Sequence, residues 1–141
     1  MKVYQGVPKR VVMGRLKKGT DLLQSLEKLV RTENIKWGIL SVIGALQRTK
    51  LGYYNQDLKQ YQTKVLEPNL EITACMGNIS VKEGQPMVHA HITLADADGR
   101  AYGGHLVPGN AIFAAEYWIT EYEGEGPIRS FERDTELFLW S

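Results

Sequence analysis

The only histidines of this chain, His89, His91 and His105, lie close together in the sequence. Neutral imidazole is a common ligand of transition metals, and three imidazoles that converge on one point form a site of the kind that holds zinc. Three protein ligands leave a coordination position free, which is typical of catalytic or adventitious rather than structural sites. The sequence therefore predicts a site for zinc or another divalent transition metal. A polar cluster at a pocket or a subunit interface is the competing interpretation.

The two nearest histidines are expected on one face of a β-strand. His89 and His91 are two residues apart in an alternating segment, so both side chains point to the same side of a strand. The residues around them are apolar and suit the opposite, core-facing side. These apolar residues are Val88, Ala90, Ile92 and Leu94.

The third histidine joins them only if the following turn has the right length. The segment from Asp96 to Gly99 is a turn signal between two strand-like segments. A three-residue loop, 97–99, places glycine where a positive φ is needed, pairs Asp96 with Arg100 and sets His91 opposite His105. A two-residue loop would turn His105 toward the core, because a shift of one residue moves a strand's side chains to the other face. We expect the three-residue loop.

Three further residues are candidates for the lining of this site. Gly103 and Gly104 directly precede His105 in the sequence. A strand without side chains at these positions lets a ligand or another backbone come close. Asn78 follows a glycine in another strand-like segment, where it is expected either to face the pocket or to have a structural role.

A carboxylate is also needed if the site is catalytic. Glu116 is the candidate general acid or base, because it lies in an otherwise apolar segment where burial would raise its pKa. A buried ion pair of Glu116 with Arg15 or Arg48 is equally consistent with the sequence. Glu71 is a weaker candidate for the same role.

Size and composition limit the class of protein. With 141 residues, of which 43% are hydrophobic and 23% charged, the chain is expected to form one domain over residues 1–141. Its formal net charge of +1 gives no strong attraction to nucleic acid or anionic lipid. The single Cys75 suits a buried position and a reducing, cytoplasmic setting. No apolar stretch is long enough to span a membrane, and residues 1–10 lack the apolar segment of a signal peptide.

The remaining patterns predict an α+β domain, with a mainly antiparallel sheet of about seven strands and one principal amphipathic helix. Thr20 is the expected N-cap of the helix, apolar residues then recur at helical spacing, and Asn34 marks the helix end. Residues 55–64 are expected to form a loop or a short edge strand. The other expected strands are 10–16, 37–45 with a bend into 49–54, 71–81, the two strands of the histidine hairpin, 111–122 and 135–140.

Short motifs in a recognisable order run through residues 10–122, and together they are specific although each alone is weak. They are Gly14-Arg15-Leu16, Gly19-Thr20-Asp21-Leu22-Leu23, Asn34-Ile35 with Gly38, Ile43-Gly44-Ala45, Leu51-Gly52-Tyr53-Tyr54, Glu71-Ile72, Gly77-Asn78-Ile79-Ser80, Val88-His89-Ala90-His91, Gly99, Gly103-Gly104-His105-Leu106, Gly109 and Glu116. In these motifs the chain resembles the PPC domain family, the plant and prokaryote conserved domain.

This resemblance implies an α/β-type domain that assembles as a homotrimer, with the histidine cluster near the subunit contacts. It also implies that the cluster holds a metal such as zinc in some members. In land plants the domain accompanies AT-hooks and binds A·T-rich DNA, and prokaryotic relatives carry a DNA-binding label. This chain contains no Arg-Gly-Arg-Pro segment, the arginine arm that reads a narrow minor groove, so direct DNA binding is not expected.

Three functions are consistent with these features. The first is a homotrimeric interaction or regulatory module, transcription-associated by family label, in which the three-histidine site serves structure or ligand sensing. The second is a zinc-dependent enzyme resembling acetolactate decarboxylase in site and fold, in which the metal polarises a substrate carbonyl or activates water. The third is direct nucleic-acid binding through Lys17, Lys18, Arg48 and Lys50.

Overall fold

Alternation of buried and exposed side chains divides most of the chain into strands. The structure, a computed structural model, describes residues 2–66 and 69–141, and its strands form one nine-stranded sheet. The elements in chain order are β1 (Pro8–Leu16), α1 (Leu22–Thr32), β2 (Gly38–Asn55), β3 (Gln60–Leu66), β4 (Leu70–Lys82), β5 (Gln85–Ala95), β6 (Ala101–Leu106), β7 (Ala111–Tyr122), β8 (Ile128–Glu132) and β9 (Leu137–Trp140).

The helix α1 covers one face of the sheet. Leu22, Leu26 and Val30 recur every four residues and are fully buried, as expected for the apolar stripe of an amphipathic helix. Asn34, the predicted end of the helix, has a positive φ of 52°. Among the residues that the structure describes, no helix has both the length and the apolar character needed to cross a membrane.

The N-terminal cap of α1 is Asp21, and the prediction of Thr20 as the cap is wrong. The Asp21 carboxylate accepts a hydrogen bond from the backbone N–H of Gln24 at 3.0 Å. It also accepts bonds from the backbone N–H groups of Gly109 and Asn110. A carboxylate can receive all three bonds, whereas the Thr20 hydroxyl is used in a bond to the Lys17 carbonyl. Asp21 therefore fixes the helix start to the loop before β7.

The sheet is almost entirely antiparallel, with one parallel pair between β4 and β8. Its strand order is β1-β7-β2-β6-β5-β4-β8-β9, and β3 pairs with the outer part of β2. The long strand β2 pairs with β4 through its first half and with β6 through Leu51 and Gly52. Because β4 also pairs with β5, and β5 with β6, these four strands form a closed circuit. The histidines lie on two strands of this circuit.

The strand count of nine corrects the expectation of about seven. Residues 38–45 and 49–54 belong to the single strand β2, whose register shifts absorb the expected bend. Within 55–64, the edge-strand alternative applies from Gln60 onward, because β3 pairs only with β2. The strand β8 was not predicted, because its five residues are too short for a clear alternation. It becomes important at the site described below.

The inner face of the sheet packs against α1. Cys75 is 1% exposed and forms no disulfide, as predicted, and burial raises the pKa of its thiol to about 12. The predicted core side of the histidine strand is confirmed, because all four of its apolar residues are buried. The buried residues of this strand are Val88, Ala90, Ile92 and Leu94.

The opposite face of the sheet points outward and joins the histidines to exposed apolar side chains. Directly paired residues of neighbouring strands share a face. Six residues are paired in this way from one edge of the sheet to the histidines, and we call them the outward row. The outward row consists of Met13, Trp118, Ser41, Met76, His91 and His105. Met13 and Met76 are 71% and 67% exposed, so this surface is apolar and open in the single chain.

Candidate metal centre

The hairpin of β5 and β6 has the predicted three-residue loop. The Asp96 N–H donates to the Arg100 carbonyl at 3.1 Å, and Gly99 has a φ of 77°. The Asp96 carboxylate further accepts a hydrogen bond from the Tyr102 hydroxyl at 2.8 Å. This register places His91 directly opposite His105. The turn chemistry therefore brings the third histidine to the face of the other two.

The three imidazoles converge as predicted. The ring centroids are 5.4 Å apart for His89 and His91, 5.0 Å for His89 and His105, and 5.3 Å for His91 and His105. One nitrogen from each ring can be chosen so that all three lie within 4.8 Å of one another. His91 is exposed, while the other two are partly buried. The cluster is thus reachable from solvent on one side.

The charge state of the cluster suits metal ligation. Burial, the nearby Arg129 charge and the other two histidines together lower the pKa of His89 to about 4, and burial is the largest cause. Burial also lowers the pKa of His105 to about 4, with smaller effects from His91 and Arg129. Both rings are therefore neutral near pH 7, which is the form that binds a metal. Three imidazole nitrogens fit a divalent transition metal that prefers nitrogen ligands.

Arg129 on β8 is the residue of this site that sequence reasoning missed. Its Nε donates to the Ser80 hydroxyl at 2.7 Å, and its Nη1 donates to the Phe138 carbonyl at 2.9 Å. Its Nη2 donates to Asn78 Oδ1 at 2.9 Å and lies 3.3 Å from His89 Nδ1. No motif marks this arginine, because its partners in β4 lie about fifty positions away in sequence.

The position of Arg129 determines the role of one ring nitrogen. A guanidinium only donates hydrogen bonds, so His89 Nδ1 can face it favourably only as an acceptor. In this contact the neutral His89 ring carries its proton on Nε2. For Nε2 to hold a metal, the proton moves to Nδ1 and the 3.3 Å contact with Arg129 is given up. In addition, the guanidinium places a positive charge at the edge of the histidine cluster.

A cavity of about 480 Å³ opens beside the histidines. It lies between the histidine face and the hairpin of β8 and β9. The Tyr54 hydroxyl donates to the Thr135 carbonyl and so links β2 to the turn of this hairpin. The Tyr61 ring packs against His105 with centroids 5.0 Å apart. The side chains that line the cavity include Tyr54, Tyr61, Lys82, Met87, His89, His91, His105, Arg129 and Phe138.

The other predicted lining residues occupy different positions. Asn78 is the strand partner of His89 and holds Arg129, which makes it a positioning residue. Gly103 shares the histidine face, one pair beyond His91 and His105. Gly104 is required by packing, because a Cβ there would lie 2.8 Å from the Gly52 carbonyl oxygen. Gly104 also borders a second, shallower cavity next to His105.

The expected burial of Glu116 is wrong. Its side chain is exposed on the outward face of β7, with Ile43 and Arg15 as strand partners. Among the residues that the structure describes, Glu116 forms no ion pair within 4.0 Å, so the alternative of a buried pair with Arg15 or Arg48 is also wrong. Glu116 and Glu71 line a separate cavity, which contains none of the histidines.

The predicted basic residues gather at one end of the sheet. Arg48 pairs with Ala111 at the start of β7, and Lys18 Nζ lies 4.4 Å from the centre of the Phe113 ring. The Lys50 N–H donates to the Asn110 side chain in the loop before that strand. These side chains are separate from the histidine cavity, so a nucleic-acid surface here would be a second site.

The fold and the histidine hairpin agree with a match to a family model over most of the chain. The model is that of the Plants and Prokaryotes Conserved (PCC) domain, and it matches residues 4–123. The chain belongs to this family. The resemblance found from the sequence motifs, to the PPC domain, is thereby confirmed.

Solved structures of similar proteins cover the whole PCC domain of this chain. A metal-containing protein from Archaeoglobus fulgidus is 38% identical, with a TM-score of 0.94, over 100% of this chain and 99% of that one. A plant- and prokaryote-conserved protein from Pyrococcus horikoshii is 33% identical, with a TM-score of 0.92, over 100% and 97%. A protein from Bacteroides thetaiotaomicron, described as a candidate DNA-binding protein, is 25% identical, with a TM-score of 0.87, over 96% of each chain.

Curated relatives place a similar segment within a longer protein. The bifunctional protein GlmU of a Synechococcus strain is 38% identical over 74% of this chain. The match spans only 16% of the length of that GlmU protein. A segment similar to this chain is therefore found joined to other sequence, as well as in the domain-sized chains of the solved structures.

Proposed function

We propose that this PCC domain is a metal-binding module that assembles as a homotrimer and serves interaction or regulation. The observation that carries the metal site is the convergence of His89, His91 and His105 within 4.8 Å. A similar protein from Archaeoglobus fulgidus is described as metal-containing, which supports the same role here. The three imidazole nitrogens would hold zinc or another divalent transition metal. When bound, such an ion supplies Lewis acidity and a position for an exchangeable ligand.

The protein's own residues prepare this site in two ways. The hairpin register and the Asp96 turn fix the backbone positions of His91 and His105. Partial burial keeps His89 and His105 uncharged near pH 7, with pKa values of about 4, so a metal does not compete there with positively charged imidazolium rings.

Equilibrium dialysis against zinc tests the site. We expect the protein to bind one zinc per chain and the His105→Ala variant to lose at least about tenfold in affinity, because one of three ligands is removed. Tyr61→Phe is the matched control, because it keeps the aromatic ring beside His105 and changes no ligand. Equal zinc binding by the protein and by His105→Ala would contradict the proposal.

Self-association is supported by the exposed apolar side chains of the outward row. An apolar surface of this kind is typical of an interface between copies of a chain. Besides the two methionines, Trp118 is 38% exposed, and Val11 and Ile39 lie on the same face with 58% and 49% exposure. A trimer is the assembly that the family resemblance implies, and this face is the surface we assign to it.

Sedimentation velocity tests the assembly. We expect a trimer, and we expect the double variant Met13→Lys/Trp118→Lys to be monomeric, because two charges would be buried at the interface. Leu58→Lys is the control, because Leu58 is 59% exposed but lies in the turn between β2 and β3. A monomer for the unmodified chain, or a trimer for the double variant, would contradict this part of the proposal.

A zinc-dependent enzyme remains the second candidate, and the observation in its favour is the cavity beside the histidines. Glu116 lines a different cavity of the single chain, so we do not assign it as the acid or base of this site. Chelator-sensitive turnover by the metal-loaded protein would support this candidate. The DNA-binding description belongs to some of the relatives, and the cytoplasmic location stays a prediction from Cys75.

A further inference from the structure

A buried positive charge stands beside the histidine cluster without a negative partner. Arg129 is only 7% exposed. No carboxylate lies within 4.0 Å of its guanidinium among residues 2–66 and 69–141. Its burial lowers its pKa, and the only opposing influence comes from Tyr61. Buried charges are normally paired, so this arginine needs an explanation.

The hydrogen bonds of Arg129 do not supply that explanation. Its acceptors are a hydroxyl, a side-chain amide oxygen, a backbone carbonyl and an imidazole nitrogen, and none of them carries a negative charge. A guanidinium has five N–H groups, and four of them are used in these contacts. One N–H of Nη1 has no acceptor within the described residues. The contact of Nη2 with His89, at 3.3 Å, is the longest of the set.

The walls around Arg129 define what would fit there. The cavity of about 480 Å³ has the size of a small-molecule site. Tyr54, Tyr61 and Phe138 line it with aromatic surface, and Leu137 and Leu139 add aliphatic surface. Its walls therefore suit an apolar body.

The remaining charges of the cavity also favour an anion. Lys82 places its Nζ 3.7 Å from the centre of the Phe138 ring, so a second cation borders the space. The one carboxylate of the lining, Glu136, lies 3.9 Å from Lys59 and is half exposed. It is therefore matched by a cation of its own at the rim. The two cations Arg129 and Lys82 therefore leave the interior of the cavity net positive.

We propose that Arg129 binds the carboxylate of a small organic acid whose apolar body lies against Tyr54, Tyr61 and Phe138. A carboxylate needs two donors in one plane, which matches the spare N–H of Nη1 and the weakly held N–H of Nη2. A phosphate would call on more donors than this side chain has free. The proposal rests on the proposed function in that it names the ligand class of the same pocket, but the Arg129 charge is present with or without a metal.

The experiment uses benzoate as the probe and benzamide as its uncharged match. Titration calorimetry is carried out on the whole chain after removal of metal with a chelator, and again after zinc loading. We expect benzoate to bind in both forms and benzamide to bind at least about tenfold more weakly, because a charged hydrogen-bonded pair is lost. We also expect the Arg129→Gln variant to lose benzoate binding by about the same factor. Arg15→Gln, an exposed arginine of β1, is the control and keeps full affinity.

A second variant guards against loss of the fold. Arg129→Lys keeps the charge but not the planar pair of donors, so we expect a folded protein with intermediate affinity for benzoate. Thermal unfolding gives an independent reading, because benzoate and not benzamide should raise the midpoint of the unmodified chain. Inorganic phosphate is the competing anion, and tighter binding of phosphate than of benzoate would overturn the carboxylate assignment.

The outcomes separate this proposal from the metal site. Benzoate binding that depends on Arg129 in a protein that takes up no zinc would support the carboxylate pocket and refute the metal proposal. Zinc binding without any benzoate binding would support the metal proposal and refute the carboxylate pocket. Equal binding of benzoate and benzamide, or full affinity in folded Arg129→Gln, would overturn the assignment of Arg129.

Discussion

Two arginines of this domain, Arg10 and Arg129, differ in whether their hydrogen-bond acceptors carry a negative charge. Arg10 on β1 donates through Nε to the buried Glu121 and through Nη1 to Glu33 at 3.1 Å. Its pKa is raised, chiefly by the hydrogen bond with Glu121. Arg129 is much more buried, yet its acceptors are all neutral, and burial lowers its pKa.

The two arginines show that a guanidinium in a protein has two separate conditions to meet: acceptors for its hydrogen bonds and a negative charge that balances its own. Arg10 meets both conditions within the chain and therefore acts as a structural contact between β1, β7 and the helix end. Arg129 meets the first condition only, and it does so at a cavity rather than at a closed packing surface. A charge left unbalanced in such a place is typical of a ligand site.

The largest expected effect comes from giving Arg129 a carboxylate partner, which Arg10 already has. Asn78 Oδ1 lies 2.9 Å from Nη2 of Arg129, so Asn78→Asp would place a carboxylate against the guanidinium. We expect benzoate affinity to fall by about tenfold and the free energy of unfolding to rise by about 1 kcal/mol. Titration calorimetry and urea denaturation measure the two changes.

The control for this substitution is Gln47→Glu, which adds the same charge on an exposed part of β2. It should leave both quantities within error of the unmodified chain. If Asn78→Asp binds benzoate as well as the unmodified chain does, the charge of Arg129 is not what holds the probe.

A separate effect, on stability alone, is expected at the carboxylate partners of Arg10. Glu121→Gln removes the buried partner of both Arg10 and Lys9, and we expect it to cost about 1–2 kcal/mol of unfolding free energy. Glu33→Gln is the matched change at the exposed partner and should cost about 0.5 kcal/mol or less, because surface ion pairs contribute little. Urea denaturation at neutral pH gives both values. Equal costs would show that burial of the carboxylate is not what matters.

The ion pair of Glu121 with Arg10 predicts that the free energy of unfolding depends on pH. Burial acts to raise the pKa of Glu121, but the hydrogen bonds from Arg10 and Lys9 outweigh it and leave this pKa lowered. The stabilisation by Glu121 is therefore complete above the ordinary glutamate pKa of about 4.3 and is lost as pH falls through the lower value of the folded protein. The stability difference between the unmodified chain and Glu121→Gln should shrink below that pH. A difference that stays constant down to pH 3 would contradict the assignment.

The histidine hairpin could be predicted from the sequence because its signals are local. Alternation determines the face of His89 and His91. Gly99, in the loop 97–99, determines the register of His105. The family resemblance rested on motifs of the same local kind. For these features, nearby residues in the sequence are also the neighbours that decide the structure.

The two errors at the site have different physical origins. Glu116 lies between apolar residues, but Ala114 and Trp118 point outward with it onto the open apolar face. Apolar neighbours therefore did not mean burial, because this surface is exposed in the single chain. Arg129 was missed for the opposite reason. It is buried only because the β8–β9 hairpin folds against β4, and that long-range contact leaves no pattern near Arg129 itself.

The central claim, that three imidazoles of one hairpin share a metal ion, is tested most directly by anomalous scattering. Crystals of the untagged protein loaded with zinc would be measured at energies just above and just below the zinc absorption edge. We predict one strong anomalous peak per chain between the side chains of His89, His91 and His105. Crystals of the variant in which all three of these histidines are replaced by alanine should have no peak there. A zinc peak elsewhere on the chain, or none at all after loading, would contradict the account.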